Sequence, residues 1–241
     1  MIETNQFLER YRTLSRDMQN GLQVLQKQTE AMKKTHNSPE LEKLVVGLNE
    51  VSEYWQDFVG WVLISTLDNA EDTRKNCAPG RIDLQSKITR AKHKRRRDLE
   101  NSGIKVDVRN VSSATVETFI PYFEQLLDLV LSNGIKYSPK GGEIEVTAGL
   151  GRGSCRLTFS SMGPLVEKHE KTLLGTKGFR SDAARRLPLS GDGFGLFNVL
   201  RIAELIGASV AFRPDARTAM HIGGIPYACF EVDVILPMTV N

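Results

Sequence analysis

An asparagine and a lysine at the end of an apolar helix have the chemistry to bind a metal ion and a phosphate. Apolar residues at helical spacing precede them: Phe119, Phe123, Leu126, Leu127 and Val130. A neutral amide oxygen such as that of Asn133 can ligate magnesium, and Lys136, one turn later, can reach a phosphate group. Tyr137 would then flank a base. These residues predict a nucleotide site in which Asn133 is the magnesium ligand.

A second stretch, further along the chain, is rich in glycine. Gly191, Gly193 and Gly195 precede a helical pattern that begins at Leu196. Because glycine has no Cβ, the backbone amides and the N-terminus of that helix can face an anion. A glycine-rich turn taken alone is equally typical of a flexible loop before a helix. The stretch therefore gains its meaning from its pairing with the first one.

In this order and spacing, the two stretches resemble the N-box and the glycine-rich G2 box of the histidine-kinase branch of the GHKL ATPases. Asn133, Lys136 and Tyr137 fall on the family's Asn-x-x-Lys-Tyr, and residues 191–196 fall on its Gly-x-Gly-x-Gly-Leu. Residues 178–185 resemble the family's ATP lid. The resemblance covers residues 81–237 and implies ATP with magnesium as the ligand. It adds these binding candidates: Arg180, Gly191, Gly193, Phe194, Gly195 and Leu196.

The pattern beyond residue 81 predicts an α+β fold. Alternating apolar residues predict strands at 104–108, 143–147, 156–159, 208–212 and 229–236. Helical segments are interspersed irregularly, which suits a two-layer α/β sandwich with one mixed sheet and helices on a single face. The family resemblance implies the same GHKL-type fold. We therefore assign residues 81–241 to an ATP-binding domain.

Residues 1–75 predict a helical hairpin. Apolar residues recur at three- and four-residue steps over 3–33 and again over 41–62. Between them, Ser38 or Asn37 is placed to cap the second helix and Pro39 to begin it. Because these seams are wide, we expect residues 1–75 to form a homodimer as a four-helix bundle. A hairpin packed only on its own domain is the alternative. A turn-rich linker follows at 76–80.

In a histidine kinase, such a hairpin carries the phosphoacceptor in a motif resembling Ser-His-Asp/Glu-Leu-Arg-Thr-Pro-Leu. Here Ser15, Asp17 and Met18 register with that motif and Arg16 takes the place of the histidine. A guanidinium group stays protonated and has no free lone pair to attack a γ-phosphate, so Arg16 cannot be phosphorylated. Asp17, which matches the family's general base, then has nothing to activate. Because the motif is short, a plain polar helix face explains the same residues equally well.

The expected contact to the base also departs from the family pattern. After the strand ending at Phe159, the family usually has Asp-x-Gly-x-Gly, whose carboxylate accepts a hydrogen bond from the adenine amino group. Ser161 and Gly163 stand at the matching positions here, with Leu165 in place of the second glycine. Replacing a charge-assisted hydrogen bond by a neutral one removes about 1–2 kcal/mol, which weakens ATP binding without abolishing it. Leu165 would alter the base preference if it crowded the base.

A further difference separates branches of the family. Members that hydrolyse ATP themselves carry a glutamate one helical turn before the N-box asparagine, and this chain has Leu129 there. Asp128 is adjacent but points about 100° away around the helix. We therefore expect no gyrase-type ATPase activity.

Composition and charge limit the remaining function classes. The net charge of +3 is too small to imply nucleic acid, and no apolar run approaches the ~20 residues of a membrane-spanning helix. The basic run at 90–97 is typical of a solvated face and lacks stacking aromatic residues, which argues against single-stranded nucleic acid. Three scattered cysteines and the absence of a secretion signal predict a cytoplasmic protein.

Two functions remain open at this level. In the first, the chain is an inactive kinase homologue, a pseudokinase of two-component signalling that binds ATP and has lost its phosphoacceptor. In the second, it is a working histidine kinase that phosphorylates a histidine on a partner or on another part of the protein. A response-regulator-like protein or another signalling protein is the partner that the resemblance implies. His36, in the predicted hairpin turn, is more typical of a solvated turn residue than of an acceptor.

Overall fold

The computed structural model describes residues 4–35, 38–111, 115–151, 153–189 and 191–238. The chain divides into two compact units between Cys77 and Ala78. The first unit contains the helices α1 (Thr4–Thr35), α2 (Pro39–Thr66) and α3 (Ala70–Asn76), with a 3-10 turn at Leu67–Asn69 before α3. None of the helices in the described ranges has the length and apolarity required to cross a bilayer.

Helices α1 and α2 form the main contact within the first unit. Gln26 Nε2 donates to Asn49 Oδ1 at 2.8 Å, and Lys33 Nζ lies 3.0 Å from Glu42 Oε1. The predicted cap of α2 is confirmed, because the Ser38 hydroxyl accepts a hydrogen bond from the backbone N–H of Glu40 at 3.2 Å. The alternative cap Asn37 lies outside the described residues, as does His36.

Much of the apolar surface of α1 and α2 remains exposed within the unit. Trp61, for example, is 65% exposed. The exposed large apolar residues of the two helices are Leu14, Met18, Val24, Leu25, Met32, Leu44, Val46, Val51, Tyr54, Phe58 and Trp61. The seam predicted from residue spacing therefore exceeds what the hairpin buries against itself.

The second unit contains a mixed sheet. Its strands are β1 (Gly80–Asp83), β2 (Lys105–Arg109), β3 (Thr115–Thr118), β4 (Glu143–Gly151), β5 (Ser154–Pro164), β6 (Ser209–Pro214), β7 (Met220–Ile222) and β8 (Ile225–Pro237). The main sheet has the order β2-β4-β5-β8-β6, with β7 paired to β8, while β1 and β3 form a separate antiparallel pair. Only β2 and β4 are parallel among the pairs of the main sheet described. The predicted two-layer α+β fold of the GHKL type is confirmed.

The helices of the second unit complete its core. They are α4 (Leu84–Lys94), α5 (Arg96–Ser102), α6 (Ile120–Tyr137), α7 (Asp182–Arg185) and α8 (Gly195–Leu205). Helix α6 contacts both α8 and β5, and one of its faces is fully buried. That face and the inward-facing strand residues form the core: Tyr122, Phe123, Leu126, Leu127, Leu131, Ile144, Val146, Leu157 and Val234. This packing fixes the end of α6, where the predicted site residues lie.

The basic run at 90–97 is solvated in part, as its sequence predicts: Arg90, Lys92, His93 and Arg96 are exposed, whereas Lys94, Arg95 and Arg97 are half-buried. The helix is interrupted at Arg95, which separates α4 from α5. Arg95 donates to Asp128 through Nε at 2.7 Å and Nη2 at 2.6 Å, and Lys94 Nζ donates to the same carboxylate at 2.8 Å. Lys92 Nζ donates to the carbonyl of Val106. Lys92, Lys94 and Arg95 thus each donate a hydrogen bond to an acceptor that is distant in sequence.

Asp128 is the anion at the centre of this arrangement. It is 4% exposed. Burial alone raises the pKa of its carboxyl, but the hydrogen bonds and charges of Arg95 and Lys94 outweigh burial and lower the pKa below its usual value. Asp128 is therefore held as a paired carboxylate, which agrees with the expectation that it is poorly placed to activate water.

Candidate functional site

A pocket lies between the end of α6 and the sheet, entirely within the second unit. Helix α6 contributes Val130, Asn133, Gly134 and Tyr137. The sheet contributes Ile144, Phe159, Ser161, Gly163, Phe230 and Val232. The remaining lining residues come from the last residue of β5, from the segment after it and from the start of α8: Pro164, Val166, Leu174, Phe179, Arg180, Ser181, Ala184, Gly193, Gly195 and Leu196. Polar side chains are few in this lining, as is typical of a small-molecule site.

Asn133 faces the glycine-rich loop across the pocket. A Cβ atom built on Gly195 would lie 2.8 Å from both the Nδ2 and the Oδ1 of Asn133, so only glycine fits there without moving the amide. The Nδ2 of Asn133 is buried and has no hydrogen-bond partner within the described part of the chain. A buried amide without a partner costs about 1–3 kcal/mol, which a ligand at this position would recover.

Lys136 lies beside the same loop, one turn after Asn133. A Cβ atom on Gly191 would overlap its Nζ. Burial lowers the pKa of the Lys136 ammonium, and the positive charge of Arg180 lowers it further, whereas Asp192 acts in the opposite direction. The Nζ also lies 5.4 Å from the ring centroid of Tyr137. A cation held near a second cation is suited to an anionic ligand.

The glycine-rich loop leads into α8, and the N–H of its residue Phe194 donates to Asp192 Oδ1 at 3.2 Å. Gly193 adopts a φ of 77°, and a Cβ there would lie 2.8 Å from the carbonyl oxygens of both Gly178 and Phe179. Helix α8 begins at Gly195, and within the described residues no side chain caps its first turn. Its N-terminal amides therefore remain available to an anion.

The lid segment, residues 178–185, forms one wall of the pocket. The guanidinium of Arg180 donates to the carbonyl of Ala184 at 2.7 Å and to those of Leu189 and Gly191 at 3.2 and 3.3 Å. Its Nε is buried and has no partner among the described residues. Arg180 thus ties the lid segment to the glycine-rich loop and still has one donor unused.

Ser161 and Gly163, the residues that the sequence analysis expects near the base, both line the pocket. Leu165 behaves differently from the crowding considered above. It is buried in a separate apolar cluster with Ala183, Ile225, Tyr227 and Ala228 and does not line the pocket. Because its side chain packs toward β8, Leu165 does not crowd the pocket.

The other candidate residues are located as follows. Tyr137, Arg180, Gly193, Gly195 and Leu196 line the pocket, whereas Lys136, Gly191 and Phe194 adjoin it. The Phe194 ring lies 6.5 Å from that of Phe197 and 5.6 Å from the Nζ of Lys177. Asp17 is exposed on α1 in the first unit, and the side chain of Arg16 lies outside the described part of the chain.

Several apolar lining residues escaped the sequence analysis. Phe230 and Val232 of β8 were covered only as part of a predicted strand, although their alternation with Glu231 indicates that they share a face. Val166 and Leu174 lie outside the strands, in the segment that leads to the lid, and no periodic pattern identifies them.

Comparison with known proteins agrees with this geometry. Residues 118–228 match the family model described as histidine kinase-, DNA gyrase B-, and HSP90-like ATPase. The signal transduction histidine-protein kinase BaeS of Escherichia coli K12 is 28% identical over 109 residues, which are 45% of this chain and 23% of BaeS. The chain spans less than a quarter of the length of the curated relatives that it matches, with 23%, 17% and 24% covered.

Two solved structures extend the comparison. The mycobacterial sensor histidine kinase MprB is 26% identical, with a TM-score of 0.54, over 66% of this chain and 97% of that one. The histidine kinase AdeS of Acinetobacter baumannii covers 98% of both chains at a TM-score of 0.52, and its 14% identity establishes similarity of fold alone.

Proposed function

The chain belongs to the histidine kinase-like ATPases of the GHKL type through its C-terminal unit, and on this premise we propose that it binds ATP with magnesium in the pocket beside α6. The observation that carries the proposal is the close approach of Asn133 to Gly195 and of Lys136 to Gly191. Two motifs separated in sequence thereby meet at one place, with a metal ligand and a phosphate-binding cation side by side.

Each residue of the pocket has a defined role in this proposal. The Asn133 amide oxygen would ligate magnesium, and Lys136 with the amides in the first turn of α8, which no side chain of the described residues caps, would hold phosphate oxygens. The Ser161 hydroxyl would meet the base, which Tyr137 flanks. Arg180 lines the same pocket, and its buried Nε–H has no partner among the described residues. ATP, when bound, supplies a transferable γ-phosphoryl group.

The charge of the site fits such a ligand. Burial disfavours the charged form of Lys136, and the nearby positive charge of Arg180 disfavours it further. A polyphosphate would neutralise both. The unpartnered Asn133 Nδ2 and Arg180 Nε point to the same conclusion, because each would gain a partner from a ligand.

Thermal unfolding tests this proposal without any assumption about catalysis. A non-hydrolysable ATP analogue with magnesium should raise the melting temperature, since a ligand at 100 times its Kd stabilises the folded state by about 2.7 kcal/mol. Magnesium tripolyphosphate, which lacks a base, should stabilise less. A melting temperature that the analogue leaves unchanged at about 1 mM would contradict the proposal.

We further propose that the chain does not activate water for hydrolysis. Leu129 has no titratable group, and the Asp128 carboxylate is occupied by Arg95 and Lys94. A general base must reach the proton that it removes. In this chain the neighbouring acid is instead part of a buried ion pair.

The signalling role follows from the residue at the phosphoacceptor position. With Arg16 in place of histidine, we propose a nucleotide-binding signalling protein without its own acceptor. The alternative, an active histidine kinase acting on a partner or on another part of the protein, is favoured by the retention of Asn133, Lys136 and the glycine-rich loop. Incubation with γ-labelled ATP, alone and with cell extract, separates the two. Acid-labile label on a partner identifies the kinase, and label on the chain itself contradicts the acceptor-less proposal.

The phosphoacceptor alignment has its own test. Arg16→His restores an imidazole beside Asp17, and Ser161→Asp strengthens the expected adenine contact. Acid-labile label only in variants that carry Arg16→His would support the alignment. If these variants bind nucleotide but take up no label, the alignment of Arg16 with the phosphoacceptor histidine, or the docking of the ATP-binding domain on this helix, is wrong.

We also propose that residues 1–75 mediate homodimerisation. The exposed apolar residues of α1 and α2 support this, because a large apolar surface on a soluble hairpin is typical of an interface. A response-regulator-like protein or another signalling protein is the partner expected for such a dimer.

A further inference from the structure

The lid segment is hydrogen-bonded to a buried carboxylate that lies outside the nucleotide-binding motifs. Glu170, in the turn before the 3-10 helix Lys171–Leu173, is 3% exposed. Its Oε1 accepts the backbone N–H of Asp182 at 2.8 Å, and its Oε2 accepts the backbone N–H of Glu167 at 2.9 Å. One side chain therefore joins the segment after β5 to the first residue of α7.

Residues before and after Asp182, whose N–H donates to Glu170, line the pocket. Ser181, immediately before Asp182, caps α7 through a hydrogen bond from the N–H of Ala184 at 3.3 Å, and both Ser181 and Ala184 line the pocket. Arg180 bonds the same turn through the Ala184 carbonyl. The position of α7 thus determines where three lining residues stand.

A second contact holds the far end of the lid. Arg186 Nη2 donates to the carbonyl of Gly224 at 2.9 Å, in the turn between β7 and β8. Ala183 packs in the apolar cluster with Ile225 and Tyr227 from the same hairpin. The lid is therefore attached to the hairpin on one side and to Glu170 on the other.

We propose that Glu170 is a positioning residue for nucleotide binding, which holds α7 against the β7–β8 hairpin so that the lid stands over the pocket. The proposal rests on the proposed function, because it assigns a role in binding to a residue that does not line the site. The chemistry requires a carboxylate. Two oxygens serve two backbone donors that approach from different segments, and an amide would present a second donor to one of them.

Two substitutions remove this contact from opposite sides. Glu170→Gln leaves one of the two N–H groups without an acceptor. Asp182→Pro removes the N–H itself, at the first position of a helix where proline is well tolerated and after Ser181, whose φ of −63° and ψ of 156° suit a following proline. The second variant therefore breaks the same hydrogen bond in a backbone that already has the required shape.

Matched controls are available for both variants. Glu167→Gln changes an exposed neighbouring carboxylate, and Asp182→Ala removes the same side chain as the proline variant while keeping the N–H. Trypsin reports on the lid of the 241-residue chain, because Arg185 ends α7, Arg186 follows it, and both are exposed. Mass spectrometry locates cleavage after Arg186.

The expected result has two parts. Without nucleotide, Glu170→Gln and Asp182→Pro are cleaved in the lid about tenfold faster than the parent and the two controls, whereas their melting temperatures stay near that of the parent. In calorimetry they bind the magnesium complex of a non-hydrolysable ATP analogue about tenfold more weakly. Adding Glu170→Gln to Asp182→Pro changes lid cleavage little, since the proline already removes the hydrogen bond through which Glu170 holds α7.

Three outcomes decide between this proposal and the proposed function. Unchanged lid cleavage in both variants overturns the positioning role, whatever the nucleotide does. Faster cleavage with unchanged affinity, in a parent that binds nucleotide, also overturns it. Faster cleavage in a parent that binds no nucleotide supports the attachment of the lid through Glu170 and refutes the proposed function instead.

Discussion

Gly195 stands so close to Asn133 that a Cβ atom on the glycine would come within 2.8 Å of both atoms of the asparagine amide. Asn133 lies near the C-terminal end of α6, which the core packs on one side, and Gly195 begins another helix far along the chain. The glycine is therefore required by its neighbour as well as by its loop. This contact makes the two motifs one site and fixes the amide toward the pocket.

Ser161→Asp should raise the affinity for ATP. The serine lines the pocket at the position expected near the base, where a carboxylate would form a charge-assisted hydrogen bond in place of a neutral one. The difference of about 1–2 kcal/mol corresponds to roughly ten- to thirtyfold in Kd, measured by calorimetry. Ser161→Asn, which adds an amide without charge, is the control and should gain less. An unchanged or weaker affinity in Ser161→Asp would show that this residue does not meet the base.

As the pH rises, nucleotide binding should begin to weaken at a lower pH than it would if Lys136 had the pKa of an ordinary lysine. The pKa of Lys136 is lowered, chiefly by burial and then by Arg180, so its ammonium loses its proton at a lower pH than usual. Phosphate binding favours the charged form, and binding near the lowered pKa should therefore take up protons. Lys136→Arg, which stays charged, should keep its affinity over this range.

Two measurements check this pH dependence. Calorimetry above about pH 8, where the nucleotide phosphates are already ionised, isolates the lysine, and buffers of different ionisation enthalpy report the proton uptake. The folding stability of the ligand-free protein should change with pH in the opposite direction to nucleotide binding. Because the folded-state pKa lies below the unfolded one, the cost of charging Lys136 is relieved, and stability rises, as the pH increases through the folded value. Parallel pH profiles for parent and Lys136→Arg would contradict this assignment.

Asp128→Asn should destabilise the second unit without a direct effect on the nucleotide site. The substitution leaves Arg95 and Lys94 without their shared carboxylate, at a cost of about 3 kcal/mol by chemical denaturation. Because the folded-state pKa of Asp128 is lowered, its stabilising contribution is present above the unfolded pKa and lost as the pH falls through the folded one.

The control for Asp128 is an exposed pair within the neighbouring helix α5. The side chains of Arg96 and Glu100 are 69% and 58% exposed, so Glu100→Gln should cost at most about 0.5 kcal/mol. Equal effects of the two substitutions would mean that Asp128 is not part of a buried ion pair.

The full-length chain should be a dimer by light scattering, and polar substitutions on α2 should dissociate it. Phe58 and Trp61 lie on one exposed face and stack on each other, with ring centroids 6.2 Å apart. The double substitution Phe58→Ser and Trp61→Ser removes apolar area from the proposed interface. Leu150→Ser, at an exposed leucine of β4 in the second unit, is the control. A monomeric parent would contradict the proposal.

The sequence predicted the parts of this protein in which local chemistry and structure coincide. Ser38 caps α2 because its hydroxyl and Pro39 are adjacent, and the strands of the main sheet follow their alternation. The prediction from sequence failed where the environment of a residue depends on a partner distant in the chain. Lys94 and Arg95 look solvated until Asp128, on another helix, is placed beneath them. Strand β7 has only three residues, all exposed, which is too short for a pattern to predict it. The contacts of Glu170 depend on two backbone amides, which the sequence does not reveal.

The most direct test of the central claim is the magnesium dependence of nucleotide binding in the parent and in Asn133→Ala. The affinity of a non-hydrolysable ATP analogue is measured by calorimetry with magnesium and again with a chelator, beside Asn101→Ala, which removes an exposed amide of α5. We predict that magnesium tightens binding to the parent and to Asn101→Ala, and that Asn133→Ala loses this gain, about tenfold or more in Kd. Equal affinities of Asn133→Ala and the parent in magnesium, or no binding by the parent at about 1 mM ligand, would contradict the assignment of this pocket.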